Sequence, residues 1–168
     1  DGDVDLMQGL AYGPARVWFN NGNGQFTNSG QALGTASFGF EFGDFDNDGD
    51  LDAFAANNGP ADAVWLNDGS GVFTNSGQVV GGARSNREVD VGDIDGDGDL
   101  DVWVANNDYA SRVWNNNGSG VFTSGQAFGT GTPEAFKFGD LDGDGHADIL
   151  VGAPRSNVSG NQSGQAWL

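Results

Sequence analysis

The chain has 168 residues, 24 of them Asp or Glu against 6 Lys or Arg, for a formal net charge of -18, with 37% hydrophobic and 11% aromatic residues. A charge of this sign argues against nucleic acid and anionic membrane surfaces as partners. No apolar run approaches membrane-spanning length, and the N-terminus has no basic-then-apolar segment. The absence of Cys excludes a disulfide framework and thiol chemistry, while the apolar content suffices for a buried core.

Seventeen of the 24 acids are aspartates packed into four stretches, 1–5, 44–52, 93–101 and 140–148. The remaining seven acids nearly balance the six bases, so the acidity is local rather than the diffuse charge of a disordered acidic chain. Carboxylates at that density repel, and a cation among them is expected.

The stretches are parts of a repeat. "DGDVDL" at 1, "DGDLDA" at 48, "DGDLDV" at 97 and "DGHADI" at 144 recur at intervals of 47, 49 and 47 residues, and "VWFNNGNGQFTNSGQALG" from 17 recurs in step from 64 and from 113. A fixed period of this length marks a repeat architecture. Taken in chain order, the intact unit predicts only strands. "FGFEF" (38–42) alternates, the Asp loop follows, "LDAFAA" (51–56) is a second strand and "AVWL" (63–66) a third. "GVFT" (71–74) is a fourth, reached through Asn67-Asp68-Gly69, a tight-hairpin signal. No segment has a helical period with caps.

Four short antiparallel strands in one unit have the size of a propeller blade. The expected fold class is therefore all-β, a β-propeller segment of four-stranded antiparallel blades, with a stacked solenoid as the alternative. The units divide as a partial blade 1–34, blades 35–81 and 82–129, and a partial blade 130–168. Asp1 aligns with Asp48 and Leu168 with Leu66, so part of a longer repeat protein, with an incomplete ring, is expected.

The full loops read "DFDNDGDLD" (44–52), "DIDGDGDLD" (93–101) and "DLDGDGHAD" (140–148). Carboxylates at positions 1, 3, 5 and 9 and a glycine at 6 describe an oxygen cage for a hard divalent cation. Position 7 is Asp50, Asp99 and then His146, and a slot that takes either type contributes its backbone carbonyl. Calcium is favoured over magnesium, which keeps its waters, and zinc would want Cys or His. An EF-hand is excluded, because position 12 is Ala55, Val104 or Val151 where that loop needs an acid, and strands flank the loop where it needs helices. A solvated acidic turn without metal leaves three copies with the same internal spacing unexplained.

"FGDLDGDGHADILVGAP" (138–154) resembles the FG-GAP repeat of integrin alpha-chain propellers and the related bacterial VCBS repeats, and the second and third units replace GAP with "ANN" (56–58 and 105–107), closer to the VCBS style. The resemblance covers essentially the whole chain. It implies a propeller whose hairpin loop between the first and second strands of each blade binds calcium, three ions or more in all. Carried over by position, the ligands are Asp44, Asp46, Asp48 and Asp52; Asp93, Asp95, Asp97 and Asp101; and Asp140, Asp142, Asp144 and Asp148, with Asp50, Asp99 and His146 contributing carbonyls. Asp1 and Asp5 match only half a loop. The resemblance also implies a secreted or cell-surface protein at work in adhesion or carbohydrate-associated recognition, with an extracellular protein or glycan as partner.

Trp18, Trp65, Trp114 and Trp167 share one repeat position on the third strand, which favours packing between blades over a ligand platform, and Trp103 on a second strand reads as core. Tyr12 with Arg16, and Tyr109 with Arg112, lie in the turn between second and third strands and are candidate sugar or protein contacts. Asn117, Asn157 and Asn161 match the glycosylation pattern weakly. His146 has no partnered nucleophile, and Glu41, Asp90 and Lys137 share one position, so neither a triad nor a carboxylate pair is indicated. The leading reading is a non-enzymatic binding or adhesion module. An accessory or catalytic propeller of a secreted polysaccharide-degrading enzyme, and a subunit that assembles with copies of itself or with further blades, are the alternatives.

Overall fold

The computed structural model describes residues 2–10, 12–82, 86–106, 109–130, 135–139, 141, 148–152, 157–158 and 161–162. Strands β1 (Leu6–Leu10), β2 (Gly13–Asn20) and β3 (Phe26–Leu33) form the first sheet. The second holds β4 (Ser37–Gly43), β5 (Asp52–Asn57), β6 (Ala63–Asn67) and β7 (Phe73–Asn75), and the third holds β8 (Asn86–Gly92), β9 (Asp101–Asn106), β10 (Ala110–Asn115) and β11 (Thr123–Thr130). Strands β12 (Ala135–Gly139) and β13 (Asp148–Gly152) pair, as do β14 (Asn157–Val158) and β15 (Asn161–Gln162). Neighbours pair in sequence order and antiparallel throughout. The described residues contain no helix, and the fold is all-β, built of propeller-type blades.

Period-2 geometry explains how the sheets stack. Every residue of β5 and of β9 is buried, because each of these strands is covered on both faces. On one face of the second sheet, Ala53 lies opposite Trp65 and Ala55 opposite Phe40. The two alanines leave room for the rings, and Phe40, Trp65 and Phe73 pack on Ala15, Val17 and Leu33 of the first sheet. On the other face Phe54, Ala56 and Val64 meet Val102 and Val104 of the third sheet and Phe122 just before β11, with Trp114 packed against the cluster. Phe122 stands edge-on to Phe45 and Phe54, with ring centroids 5.4 and 5.5 Å apart. The fully buried Phe54 alone contributes about 1.5–3 kcal/mol of apolar burial. Trp65 and Trp114 thus pack between blades, Trp103 is fully buried, and Trp167 lies outside the described residues.

Two local features depart from the expected hairpin. Register pairs Asn67 with Phe73, so the connection is a five-residue loop and not a two-residue turn, and β7 begins at Phe73. Side chains have taken over the turn. Asp68 Oδ1 accepts the Ser70 and Val72 amides and Asn67 Oδ1 accepts the Gly71 amide, an Asx arrangement that stabilises the wider loop.

Candidate metal centre

Each described acidic loop joins the first and second strands of a blade. Its path needs two left-handed residues, and they stand at the same loop positions in both copies: Asn47 (φ 60°) and Gly49 (φ 95°) in one, Gly96 (φ 76°) and Gly98 (φ 95°) in the other. Only glycine and asparagine take that conformation at little cost. With the chain so turned, the first aspartate collects amides from across the loop. Asp44 accepts from Asp48 N (3.1 Å) and Gly49 N (3.0 Å), and Asp93 accepts from Gly96 N (2.9 Å) and Gly98 N (3.1 Å). The fifth-position carboxylates, Asp48 and Asp97, each accept the amide two residues on, at 2.9 Å.

The ninth-position aspartates have a different environment. Asp52 and Asp101 are fully buried, and each bridges the loop to the third strand. Asp52 accepts from Phe45 N (3.1 Å) and Asn67 N (2.8 Å), and Asp101 from Ile94 N (3.0 Å) and Asn116 N (2.9 Å). Asp5 takes the Asn20 amide at 2.8 Å, and Asp148 takes the Leu141 amide at 2.9 Å, so the half-loop and the third loop keep parts of the same brace. These repeated asparagines, Asn20, Asn67 and Asn116, were legible as a register in the sequence but carried no assigned role.

Carboxylate oxygens converge within 4.8 Å of one another in two places, Asp44 with Asp46 and Asp48, and Asp93 with Asp95 and Asp101. Asp52 is outside the first group and Asp97 outside the second. In the first loop Asp46, one of the three converging carboxylates, has its Oδ1 buried with no hydrogen-bond partner. Burial, then the neighbouring Asp48 and Asp44 charges, raise the Asp46 pKa above the usual carboxylate range. Burial also raises Asp52 and Asp101, and outweighs the two amides that each of them accepts. Oxygen-only donors and an orphaned carboxylate oxygen fit a hard divalent cation.

The seventh position turns away from the cage. A Cβ at Gly69 would collide with Asp50 Oδ2, and one at Gly118 would stand 2.5 Å from Asp99 Oδ2. These side chains therefore lie against the hairpin glycine of their own blade. Asp140, Asp142, Asp144, His146 and Asp1 lie outside the described residues. Of the other candidates, Tyr12 is 99% exposed, Arg16 donates to the Gln31 carbonyl, and Arg112 donates to Ser124 and Gly125.

The pattern of the FG-GAP-like repeat family matches the chain three times, over residues 1–55, 44–104 and 93–151. Each of the second and third matches begins on the first aspartate of an acidic loop. No curated protein matches the chain.

Proposed function

The chain belongs to the FG-GAP-like repeat family, and from that premise we propose that it is a calcium-stabilised propeller module that recognises a protein or glycan ligand outside the cell. One observation carries the calcium reading: the buried, unpartnered Asp46 Oδ1 in the middle of the Asp44, Asp46 and Asp48 group. A buried carboxylate oxygen without a donor is costly, and a cation in the loop removes that cost. Asp44, Asp46 and Asp48 with the Asp50 carbonyl would hold one ion, and Asp93, Asp95 and Asp101 with the Asp99 carbonyl a second. The sequence of the 140–148 loop supplies a third set, Asp140, Asp142, Asp144 and Asp148 with the His146 carbonyl. Such an ion supplies charge neutralisation, not chemistry on a substrate, and the family match supports reading the module as a non-enzymatic one.

The stabilisation reaches the rest of the blade through the braces. Asp52 and Asp101 tie loop to third strand, so a loop held closed by metal also fixes the hairpins of its blade. Millimolar calcium outside cells is in the range that extracellular calcium modules bind. Elemental analysis of calcium-saturated, washed protein tests the proposal. Three bound calcium ions are expected, and fewer than two would overturn it. EDTA should lower the melting temperature strongly, since each site contributes about 2.7 kcal/mol at a hundredfold excess over Kd. Calcium should restore it better than magnesium does.

A further inference from the structure

The two described blade junctions differ in how they are filled. At the second, Phe45 is fully buried in a cluster with Phe54, Val64, Leu66, Val91, Leu100 and Phe122, and its carbonyl accepts from Gly120 N and Asn116 Nδ2. The residues at the same repeat positions of the first junction are Met7, Val17, Phe19, Phe42, Leu51 and Phe73. All six line a cavity of about 610 Å³. The cavity is therefore the counterpart of the space that Phe45 fills. Its walls are open: Leu51 is 60% and Phe42 40% exposed, and Met7 and Phe73 are half-buried where Phe54 and Phe122 are buried. The two donors are in reach as well. Gly71, in the cavity wall, holds its N–H on Asn67 Oδ1, and Asn67 Nδ2 rests on the Leu51 carbonyl. Turning the Asn67 side chain would release both for an incoming carbonyl, the arrangement that Gly120 and Asn116 make with Phe45.

The backbone beside the cavity is unpaired. Strands β5 and β9 each lie between two others and are buried throughout, whereas β1, at the same repeat position, ends its sheet. Among the described residues no strand pairs with its outer edge, and four of its five residues are exposed. An extended peptide adds to such an edge through main-chain hydrogen bonds, while a side-chain pocket supplies specificity. The cavity also continues an existing interface, since Met7, Val17, Phe19 and Phe73 belong to the apolar cluster between the first and second sheets. Charge sets the flanks of the anchor. Asp44 and Asp46 stand on either side of Phe45, where the proposed calcium neutralises them. Asp3, Asp5 and Asp50 line the cavity of the first junction, so a peptide without a metal loop needs Lys or Arg beside its anchor.

We propose that the cavity between the first and second sheets, with the free edge of β1, is a docking site for an extended peptide that carries an aromatic anchor between basic residues. The proposal deepens the recognition role above by naming the class of ligand, and rests on it. It is independent of the calcium count, so elemental analysis and peptide binding fail separately. The test is a calorimetric titration of the calcium-loaded protein with the peptide Lys-Thr-Val-Lys-Phe-Lys-Val-Thr-Lys, with amide exchange followed by NMR. Saturable binding is expected, with slower exchange across Leu6–Leu10 and a shift of the Gly71 amide. Alanine in place of the peptide's phenylalanine should weaken binding about tenfold or more. Glutamate in place of the lysines on either side of it should weaken binding too. Both changes leave the protein untouched, so neither depends on the folding of a variant. Leu51→Lys, in the exposed wall, should weaken binding of the parent peptide. No saturable binding, equal affinity for the alanine or the glutamate peptide, unchanged affinity in Leu51→Lys, or binding that leaves exchange in β1 unaltered would each overturn the assignment.

Discussion

The side-chain amide of Asn47, in the acidic loop of the second sheet, donates to Asp99 Oδ1, in the acidic loop of the third, at 2.9 Å. The same nitrogen reaches the Gly118 carbonyl at 3.2 Å, and the carbonyl of the neighbouring Phe45 accepts from Gly120 N and Asn116 Nδ2. Successive candidate metal loops are therefore joined to each other as well as to their own blades. Asn47→Gly keeps the left-handed backbone, as Gly96 does at the equivalent position, and loses only the amide. Its cost is expected at about 1 kcal/mol, a fall of about 2–4 °C in melting temperature for a chain of this size. Asn47→Ala adds about 1–2 kcal/mol of left-handed strain and should melt lower still. Thermal denaturation of both variants in calcium checks the order.

A second link between blades recurs at a glutamine. Gln31 donates to the Gly71 carbonyl (2.7 Å) and accepts the Phe73 amide (2.9 Å), and Gln78 makes the same two bonds to Gly120 and Phe122 of the next blade. One side chain thus satisfies both backbone groups of a hairpin end. Gln78→Ala should cost about 1–3 kcal/mol by chemical denaturation, since two partly buried bonds go. Gln78→Glu should cost at least as much, because a carboxylate would then face the Gly120 carbonyl with no donor. The double variant with Gln31→Ala should be close to additive, the two clasps sharing no partner.

Ligand and brace are separable by mutation. Asp46→Asn removes a charge from the converging oxygens and should reduce calcium affinity of the 44–52 loop far more than Asp50→Asn, whose side chain lies against Gly69. Asp52→Asn should destabilise even the metal-free protein, by about 1–3 kcal/mol, because an amide cannot accept from both Phe45 N and Asn67 N. Calorimetric titration of the first two variants, and melting of the third in EDTA, separate these effects. Equal affinity losses for Asp46→Asn and Asp50→Asn would refute the assignment of ligands.

Acid should act oppositely on the two metal states. Asp46, Asp52 and Asp101 have raised pKa values in the folded chain, chiefly from burial. A group raised on folding contributes stability that is fully present below its unfolded pKa and is lost as pH rises through the folded value. Asp68, lowered by the Ser70 hydroxyl, works the other way but is a single exposed group. In EDTA the melting temperature should therefore rise as pH falls from neutral toward the carboxylate range. With calcium it should fall, because protons compete for the same oxygens. Melting curves over that window, in EDTA and in calcium, show whether the slopes oppose.

Much of this protein was legible in its sequence because its information is periodic. The recurrence every 47–49 residues, the alternation in "FGFEF" and the spacing within the Asp loops specify strands, blades and oxygen cages through local rules that any copy of the unit obeys. The left-handed turns at Gly49 and Gly98 follow from the same rules. The hairpin at Asn67 was misjudged because Asx side chains, and not the Asn-Asp-Gly backbone preference, set the loop.

What only the tertiary structure decided are the relations between units. That Asp52 and Asp101 brace third strands, that Asn47 reaches Asp99, and that Gln78 closes on the next hairpin depend on how far apart the sheets stack, and no spacing along one strand reports that distance. The same holds for Asn86 and Asn106. Ser37 on β4 and Asn86 on β8 are equally polar in sequence, but burial removes the water that would have served either, and only the packed structure shows that Ser37 meets Asn57 Oδ1 while Asn86 Oδ1 and Asn106 Oδ1 meet no donor among the described residues.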